Sequence, residues 1–355
     1  MKILRIYTRL PPMPGGMEKH IYNLTLEQIK LGHDVRVYFN KGSKITKNDV
    51  QISTLPLDST NPRFTGIILF HFFILIRIFL KRENYDIVHI HGDWSSLVFA
   101  KLIQHFSSAK ALVFSVHDDI NETFVYNHVL SILLKQVDIV FSTGYKAANK
   151  IKKIVKTSIF VQPSGINEFF FKPYTKIKKN HKFQVITVAN LIPKKNLNLV
   201  LDIAKEFKYI NFIIVGEGSE KKKLQNRLKN ESIKNVKLLG FKSATHIKEL
   251  LFQSDLFLLT STKEGTPTAI LEAMACGLPI VTSKVGGIEN IIKNGINGFV
   301  IDSYLKQDYI YVLIKCQAYF LENIGEQNFH HSKNYTWGKA TSNITDKCKL
   351  LIKGK

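Results

Sequence analysis

Short runs of β-branched and apolar residues alternate with longer stretches whose apolar positions recur at helical spacing, and the alternation runs along most of the chain. In the first half the short runs fall at residues 3–7, 35–39, 87–90, 112–116, 139–142 and 159–162. They predict parallel strands joined by helices, that is, a doubly wound α/β sheet. Pro11, Pro12, Pro14, Gly15 and Gly16 break the chain after the first run, and a helix is predicted over 17–31, stopping at Gly32. A polar segment, 172–182, reads as a linker. A second alternating series then follows, with strands predicted at 185–188, 212–215, 236–239, 256–259 and 280–282. The expected organisation is therefore two domains, 1–171 and 183–335.

Length agrees with two cores, since 355 residues exceed what one domain ordinarily holds. With 45% hydrophobic and 22% charged residues the chain can fill those cores and is too apolar for disorder. Cys276, Cys316 and Cys348 are too few and too scattered for a disulfide framework and have no zinc-type spacing, so a reducing cytoplasmic setting is expected. Residues 1–10 carry Arg5 and Arg9 and lack a small-residue cleavage site, which reads as a first strand and not an export signal.

A net charge of +22 calls for an anionic partner: nucleic acid, an anionic membrane or a phosphorylated ligand. The lysines are spread along the chain with no nucleic-acid signature, so nucleic acid is not expected. The longest apolar stretch, 67–80, contains His71 and Arg77 and falls short of the roughly 20 apolar residues of a membrane span. Two readings remain for it, a core helix packed on the sheet or a helix lying at a membrane surface with its basic flanks.

In open α/β sheets ligands bind beyond the carboxyl ends of the strands, so the loops there carry the chemistry. Gly15-Gly16-Met17-Glu18 opens the first helix; it is either a phosphate-approach loop or a plain tight turn. Gly216-Glu217-Gly218 is not a nicotinamide fingerprint, because Lys221 stands where a third glycine is needed. The segment 261–279 holds a helix start, with Thr266 expected to cap, Pro267 at the first helical position and Gly277 at the end. A helix N-terminus favours a diphosphate, and Glu264 and Glu272 nearby can each accept hydrogen bonds from pairs of sugar hydroxyls. No Asp-x-Asp occurs, so no divalent metal and no cofactor is expected.

The spacing Glu264 to Glu272, within Glu-Gly-x-Pro and followed by Glu-Ala-Met-Ala-x-Gly-x-Pro, resembles the signature of the retaining glycosyltransferases of family 4. Gly15-Gly16-x-Glu18, Asp86 to His91, Val116-His117, Pro163-Ser164-Gly165-Ile166, Gly216-Glu217-Gly218, Gly286-Gly287-x-x-Asn290 and Asn294-Gly295-x-x-Gly298 follow in that family's order. The resemblance implies a GT-B architecture, two Rossmann-like domains facing a central cleft, with the last helix, 336–355, packed back on the first domain around Trp337. It implies that Glu264 bonds hydroxyls of the donor sugar, that His117 contacts that sugar, and that Glu272 holds the ribose. Gly16, Gly265, Thr266 and Lys195 would face the diphosphate. Asp118, Asp119 and His91 are candidate acceptor contacts. Asn190 stands where the family usually has an arginine, removing one fixed cation.

The implied function is transfer of a hexose or N-acetylhexosamine from a UDP- or GDP-linked sugar to a glycan or lipid-linked acceptor of a bacterial surface polysaccharide or lipopolysaccharide. The expected place is the cytoplasm, peripherally on the inner face of the membrane. The alternatives are a non-hydrolysing sugar-nucleotide epimerase of the same fold and a basic binding protein without catalysis.

Overall fold

A computed structural model describes residues 1–13, 15–54, 63–117, 124–171, 182–318 and 321–354. The chain divides into two compact units, Met1–Gly165 with Trp337–Lys355, and Ile166–Thr336. The linker read at 172–182 lies almost wholly outside the described residues, as do Asp118 and Asp119.

The first unit is built on strands β1 (Lys2–Ile6), β2 (Asp34–Phe39), β3 (Val50–Gln51), β4 (Ile87–His91), β5 (Ala111–Val116), β6 (Ile139–Ser142) and β7 (Ser158–Val161). They form one parallel sheet in the order β3-β2-β1-β4-β5-β6-β7. Helices α1 (Gly16–Lys30), α2 (Arg63–Lys81), α3 (Ala100–Phe106), α4 (Phe124–Leu134) and α5 (Tyr145–Ile154) connect them. One core lies under α2 to α5, where Phe70, Ile74, Ile78, Ile103, Leu134 and Ile151 are fully buried. The other lies under α1 and the returning last helix, where Leu24, Trp337, Ile344 and Cys348 meet Ile3, Ile87 and Val113.

Helix α2 packs one face of its apolar stretch on the sheet and leaves the other exposed. Phe70, Ile74 and Ile78 face the core, while Phe72, Phe73, Ile76, Phe79 and Leu80 are 37–70% exposed. Arg77, inside the stretch, reaches Glu83 and the Tyr38 hydroxyl at the helix end. Among the described residues no helix is long and apolar enough to cross a membrane.

The second unit carries β8 (Gln184–Val188), β9 (Asn211–Val215), β10 (Val236–Leu238), β11 (Leu256–Leu259), β12 (Ile280–Ser283) and β13 (Gly298–Ile301), parallel in the order β10-β9-β8-β11-β12-β13. Its helices are α6 (Leu197–Lys205), α7 (Lys221–Asn230), α8 (Ala244–Gln253), α9 (Thr268–Ala275), α10 (Lys306–Ala318) and α11 (Leu321–Ser332); α12 (Trp337–Lys353) belongs to the first unit. Residues 166–171, expected in the first domain, belong to the second. The Ile166 amide donates to the Tyr335 carbonyl at 2.7 Å, and the Phe171 and Phe329 rings lie 6.1 Å apart. At the return point a Cβ on Gly165 would stand 2.5 Å from Trp337 Cα, so only glycine lets α12 seat there.

Candidate active site

In the second unit the loops after β8 and β11 are tied to each other by hydrogen bonds to backbone carbonyls. The Thr260 hydroxyl, just past β11, donates to the carbonyls of Lys195 and Asn196 at 3.1 Å each, and the Thr262 amide donates to the Lys194 carbonyl at 2.8 Å. These bonds bring the turn after β8 against the loop before α9, and Lys195 Nζ pairs there with Glu264 Oε1. Both side chains are nearly enclosed, 14% and 10% exposed. Two charges so screened from water attract more strongly than a surface pair.

Glycines make this approach possible. Gly286 has φ +63°, and a Cβ there would fall 1.6 Å from the Gly265 carbonyl oxygen. The loop after β12 therefore rests directly on the Glu264-Gly265 backbone. Gly216 and Gly218 serve similarly: Cβ atoms on them would meet the carbonyl oxygens of Ala189 and Leu191 at 1.9 and 2.4 Å. The Gly216-Glu217-Gly218 loop thus buttresses the Asn190–Lys195 turn, with the Leu191 amide donating to the Glu217 carbonyl at 2.8 Å.

Helix α9 differs from expectation at its start. Pro267, with φ −66° and ψ 109°, is the cap residue and Thr268 the first helical one, without a capping side chain. Its extended ψ puts Pro267 outside the helix, where its missing N–H costs nothing; Thr266 stays in the loop. Gly277, at φ +74°, lies just past the last turn as expected. Glu272 is half-buried on a helix whose Ile270, Leu271, Ala273 and Met274 are fully buried. Asn190 is exposed.

In the first unit Gly15 caps α1 and Gly16 begins it. A Cβ on Gly15 would strike the Glu18 carboxylate at 1.9 Å, whereas one on Gly16 would meet no protein atom within 4 Å. Gly15 is thus a packing glycine and Gly16 a glycine facing open space. Glu18 is 1% exposed, with Oε1 2.9 Å from Arg9 Nε. Burial and that carboxylate push the Tyr7 phenol up from its ordinary value, and its hydroxyl donates to Glu18 at 3.4 Å.

Four histidines gather at the ends of β4 and β5 and on α1. His91 Nδ1 lies 3.1 Å from His117 Nε2, His89 Nε2 lies 2.7 Å from Ser115 Oγ, and His20 Nδ1 lies 2.8 Å from Ser164 Oγ. Burial, with repulsion among neighbouring imidazoles and Arg5, holds His20, His89 and His91 well below the ordinary value. His91 was expected among the acceptor contacts. It is 2% exposed and spends Nδ1 on His117, so it stands behind that residue. Nitrogens of His20, His91 and His117 lie within 4.8 Å of one another, near enough for a metal ion, though each ring already has one nitrogen in a hydrogen bond. The sequence reading missed His20, His89 and Arg9. Histidines spaced two apart at 89 and 91 in a strand that is otherwise buried were the available signal.

Comparison with known proteins accounts for both units. Residues 14–168 match the family described as Glycosyltransferase Family 4, and residues 171–326 match Glycosyl transferases group 1. A human phosphatidylinositol N-acetylglucosaminyltransferase subunit is 28% identical over 301 residues, 79% of this chain and 61% of the human one. The chain thus spans about three fifths of that relative's length. The N-acetyl-alpha-D-glucosaminyl L-malate synthase of Bacillus anthracis is 26% identical over 242 residues, 62% of each chain. Among solved structures, sucrose-phosphate synthase from Thermosynechococcus elongatus superposes with a TM-score of 0.85 at 14% identity, covering all of both chains. Anabaena HepE in complex with UDP and glucose superposes at 0.78 with 18% identity, covering 98% of this chain and 99% of that one. The lipopolysaccharide outer core galactosyltransferase WaaB superposes at 0.77 with 20% identity, covering 98% of each.

Proposed function

The chain is a glycosyltransferase of family 4 with the GT-B fold, and from that premise we propose that it transfers N-acetylglucosamine or a related hexose from a UDP-linked donor, with retention and without a metal, to a lipid-linked or polysaccharide acceptor. The observation that carries the reading is the enclosed Lys195–Glu264 pair beside the start of α9. It sets a cation and a carboxylate side by side, suited to a diphosphate and to sugar hydroxyls respectively.

In this reading Lys195 and the amides near Gly265 and Thr266 stabilise the departing nucleotide diphosphate as the glycosidic bond breaks. Within the second unit Glu264 holds hydroxyls of the sugar and Glu272 binds the ribose; in the first unit Gly16 keeps open space at the start of α1, and Gly16 and His117 remain donor contacts by the family resemblance. The choice of UDP is supported by neighbours of the same fold that hold it. N-acetylglucosamine is supported by the names of the human and Bacillus relatives. WaaB supports a place in surface-glycan synthesis.

The acceptor side includes an anionic membrane surface. Exposed Phe72, Phe73, Phe79 and Leu80 of α2 adjoin exposed Leu102 and Phe106 of α3, with the Phe79 and Phe106 rings 5.2 Å apart. Lys81, Arg82, Lys101 and Lys110, all exposed, surround them. Such an apolar face with a basic rim suits the headgroup region of the cytoplasmic leaflet.

Two measurements test the reading. UDP-N-acetylglucosamine should raise the melting temperature more than GDP-mannose does, and UDP should be released when an acceptor is supplied; isomerisation of the sugar without release of UDP would point to an epimerase. In flotation, anionic vesicles should recover more protein than neutral ones, with the difference lost at high salt. Phe79→Ser/Leu80→Ser should reduce recovery on anionic vesicles, and equal recovery of parent and variant would remove α2 from the membrane contact.

A further inference from the structure

Phe241 is 76% exposed, and a single apolar side chain in water is ordinary by itself. Its place and the way it is held are not. Phe241 lies in the loop between β10 and α8, beyond the carboxyl end of β10, on the same edge of the sheet as the loops of Lys195 and Glu264. Its backbone is fixed to the neighbouring loop after β9. The Gly216 amide donates to the Gly240 carbonyl at 2.9 Å, the Phe241 amide donates to the Glu217 carboxylate, and Lys221 Nζ holds that carboxylate at 2.6 Å. Gly240 turns the chain with φ +69°, and a Cβ there would stand 2.8 Å from Glu217 Oε1. Since the Gly216-Glu217-Gly218 loop also buttresses the turn of Lys195, the ring is presented on a backbone tied through one loop to the cation of the site.

Topology brings this loop and Glu272 to one face of the sheet. In the order β10-β9-β8-β11-β12-β13, α6 and α7 each step one way along the sheet, whereas α8 and α9 step the other way. Right-handed crossovers therefore put α6 and α7 on one face and α8 and α9 on the opposite one. Val200 of α6 and Leu224 of α7 accordingly share one core with Val185 and Phe212. Glu272 rides on α9, so it and the loop entering α8 stand on the same side. Strands β10 and β8 flank β9 and neighbouring strands lie about 4.8 Å apart, so the loop of Phe241 is about 10 Å along the edge from the turn of Lys195. A nucleotide whose diphosphate meets Lys195 places a ribose between the phosphates and its base, and can reach that loop with the base.

We propose that Phe241 is the platform on which the nucleobase of the donor stacks, a binding residue for the nucleoside half of the substrate. The inference rests on the donor reading, with the diphosphate at Lys195. An aromatic face stacks on any base, so the platform favours a nucleotide over a bare diphosphate and leaves the choice between uracil and guanine to other contacts. Because the loop is fixed before the nucleotide arrives, little further ordering of the backbone is needed on binding.

The test measures UDP binding to the full chain by calorimetry, with melting temperature as the control for folding. Phe241→Ala should weaken UDP about tenfold, the loss expected on removing a base-stacking ring, while Phe241→Tyr should stay within about twofold of the parent. Phe241→Leu is apolar without a π face and should lose most of what alanine loses. The side chain is exposed, so all three variants should melt with the parent. In a second arm, the indole of Phe241→Trp should be quenched by UDP and not by inorganic pyrophosphate, its emission read as the difference from the parent, whose Trp94 and Trp337 both lie in the first unit. A parent that binds no UDP overturns the donor reading and this proposal together. A parent that binds UDP, beside a folded Phe241→Ala that binds it equally, leaves the donor reading standing and overturns the platform alone. Full affinity in Phe241→Leu would reduce the ring to a greasy contact, and equal quenching by pyrophosphate would put the phosphates and not the base beside it; either result overturns the proposal.

Discussion

Lys195 and Glu264 face each other in the second unit, so anything that binds one must compete with the other. Glu264→Gln removes the competing charge while keeping size, and should leave UDP affinity equal or higher while kcat falls. A hydrogen bond to a charged group contributes about 1.5 to 3 kcal/mol, which translates into one to two orders of magnitude in turnover. Glu272→Gln should instead raise KM with little change in kcat, since a ribose contact is made about equally before and during reaction. Steady-state kinetics on both folded variants separates the roles, and near-full turnover by Glu264→Gln would undo the assignment to the sugar. The histidines make a second prediction. His20, His89 and His91 have folded values far below the ordinary 6.5, so below pH 6.5 the unfolded chain binds the protons and the folded one does not. Stability is complete above pH 6.5 and falls as the pH drops below it, by up to about 1.4 kcal/mol per pH unit for each histidine. Urea melts at pH 7.5 and 5.5 should show that slope, and His89→Asn should flatten it; equal stability at both pH values would refute the neutral cluster. Glu264 was legible as a site residue because it sits in a dense motif, whereas His20 was not, because its partners Ser164 and His117 are far away in sequence.

At the scale of elements, loops decide what the helices and strands present. The start of α9 is aimed by the Gly286 loop pressed on the Gly265 carbonyl. Gly286→Ala adds a Cβ at a left-handed φ and against a backbone oxygen that cannot move aside, so the Glu264-Gly265 loop must shift. We expect a fall in UDP affinity of at least tenfold with a modest loss of melting temperature, read by calorimetry and thermal denaturation. An unchanged affinity would show that the loop after β12 does not set the site. The strand pattern was readable wherever short β-branched and apolar runs were set off by turn formers or helical stretches, to within a residue or two at each end. It missed β3, only two residues long at the sheet edge, and β13, whose short apolar run hides behind Asn294, Gly295 and Asn297. Helix α2 shows the limit of composition: a stretch apolar on all sides gave no way to tell which face the sheet would cover.

For the whole molecule, the first unit is assembled from two distant pieces of chain, and its second core depends on the later one. Trp337, Ile344 and Cys348 close that core, and Gln28 Nε2 donates to Thr345 Oγ1 at 3.1 Å while its Oε1 accepts from the fully buried Arg5. Trp337→Ala should therefore destabilise the first unit by about 3 to 5 kcal/mol, as large-to-small core changes do. Limited proteolysis would then cut within 1–165 before 166–336; cleavage in the second unit first would contradict the assignment. By itself the sequence determined the two parallel sheets and the family, because strand periodicity, helix punctuation and motif spacing are local properties that survive without knowledge of contacts. Only the tertiary structure decided that residues 166–171 join the second unit, that His91 stands behind His117, that Lys195 lies on Glu264, and which face of α2 remains exposed. Each of these is a contact between segments tens of residues apart or more, set by close packing of backbones at glycines and by pairing of buried polar groups, and no local pattern encodes it.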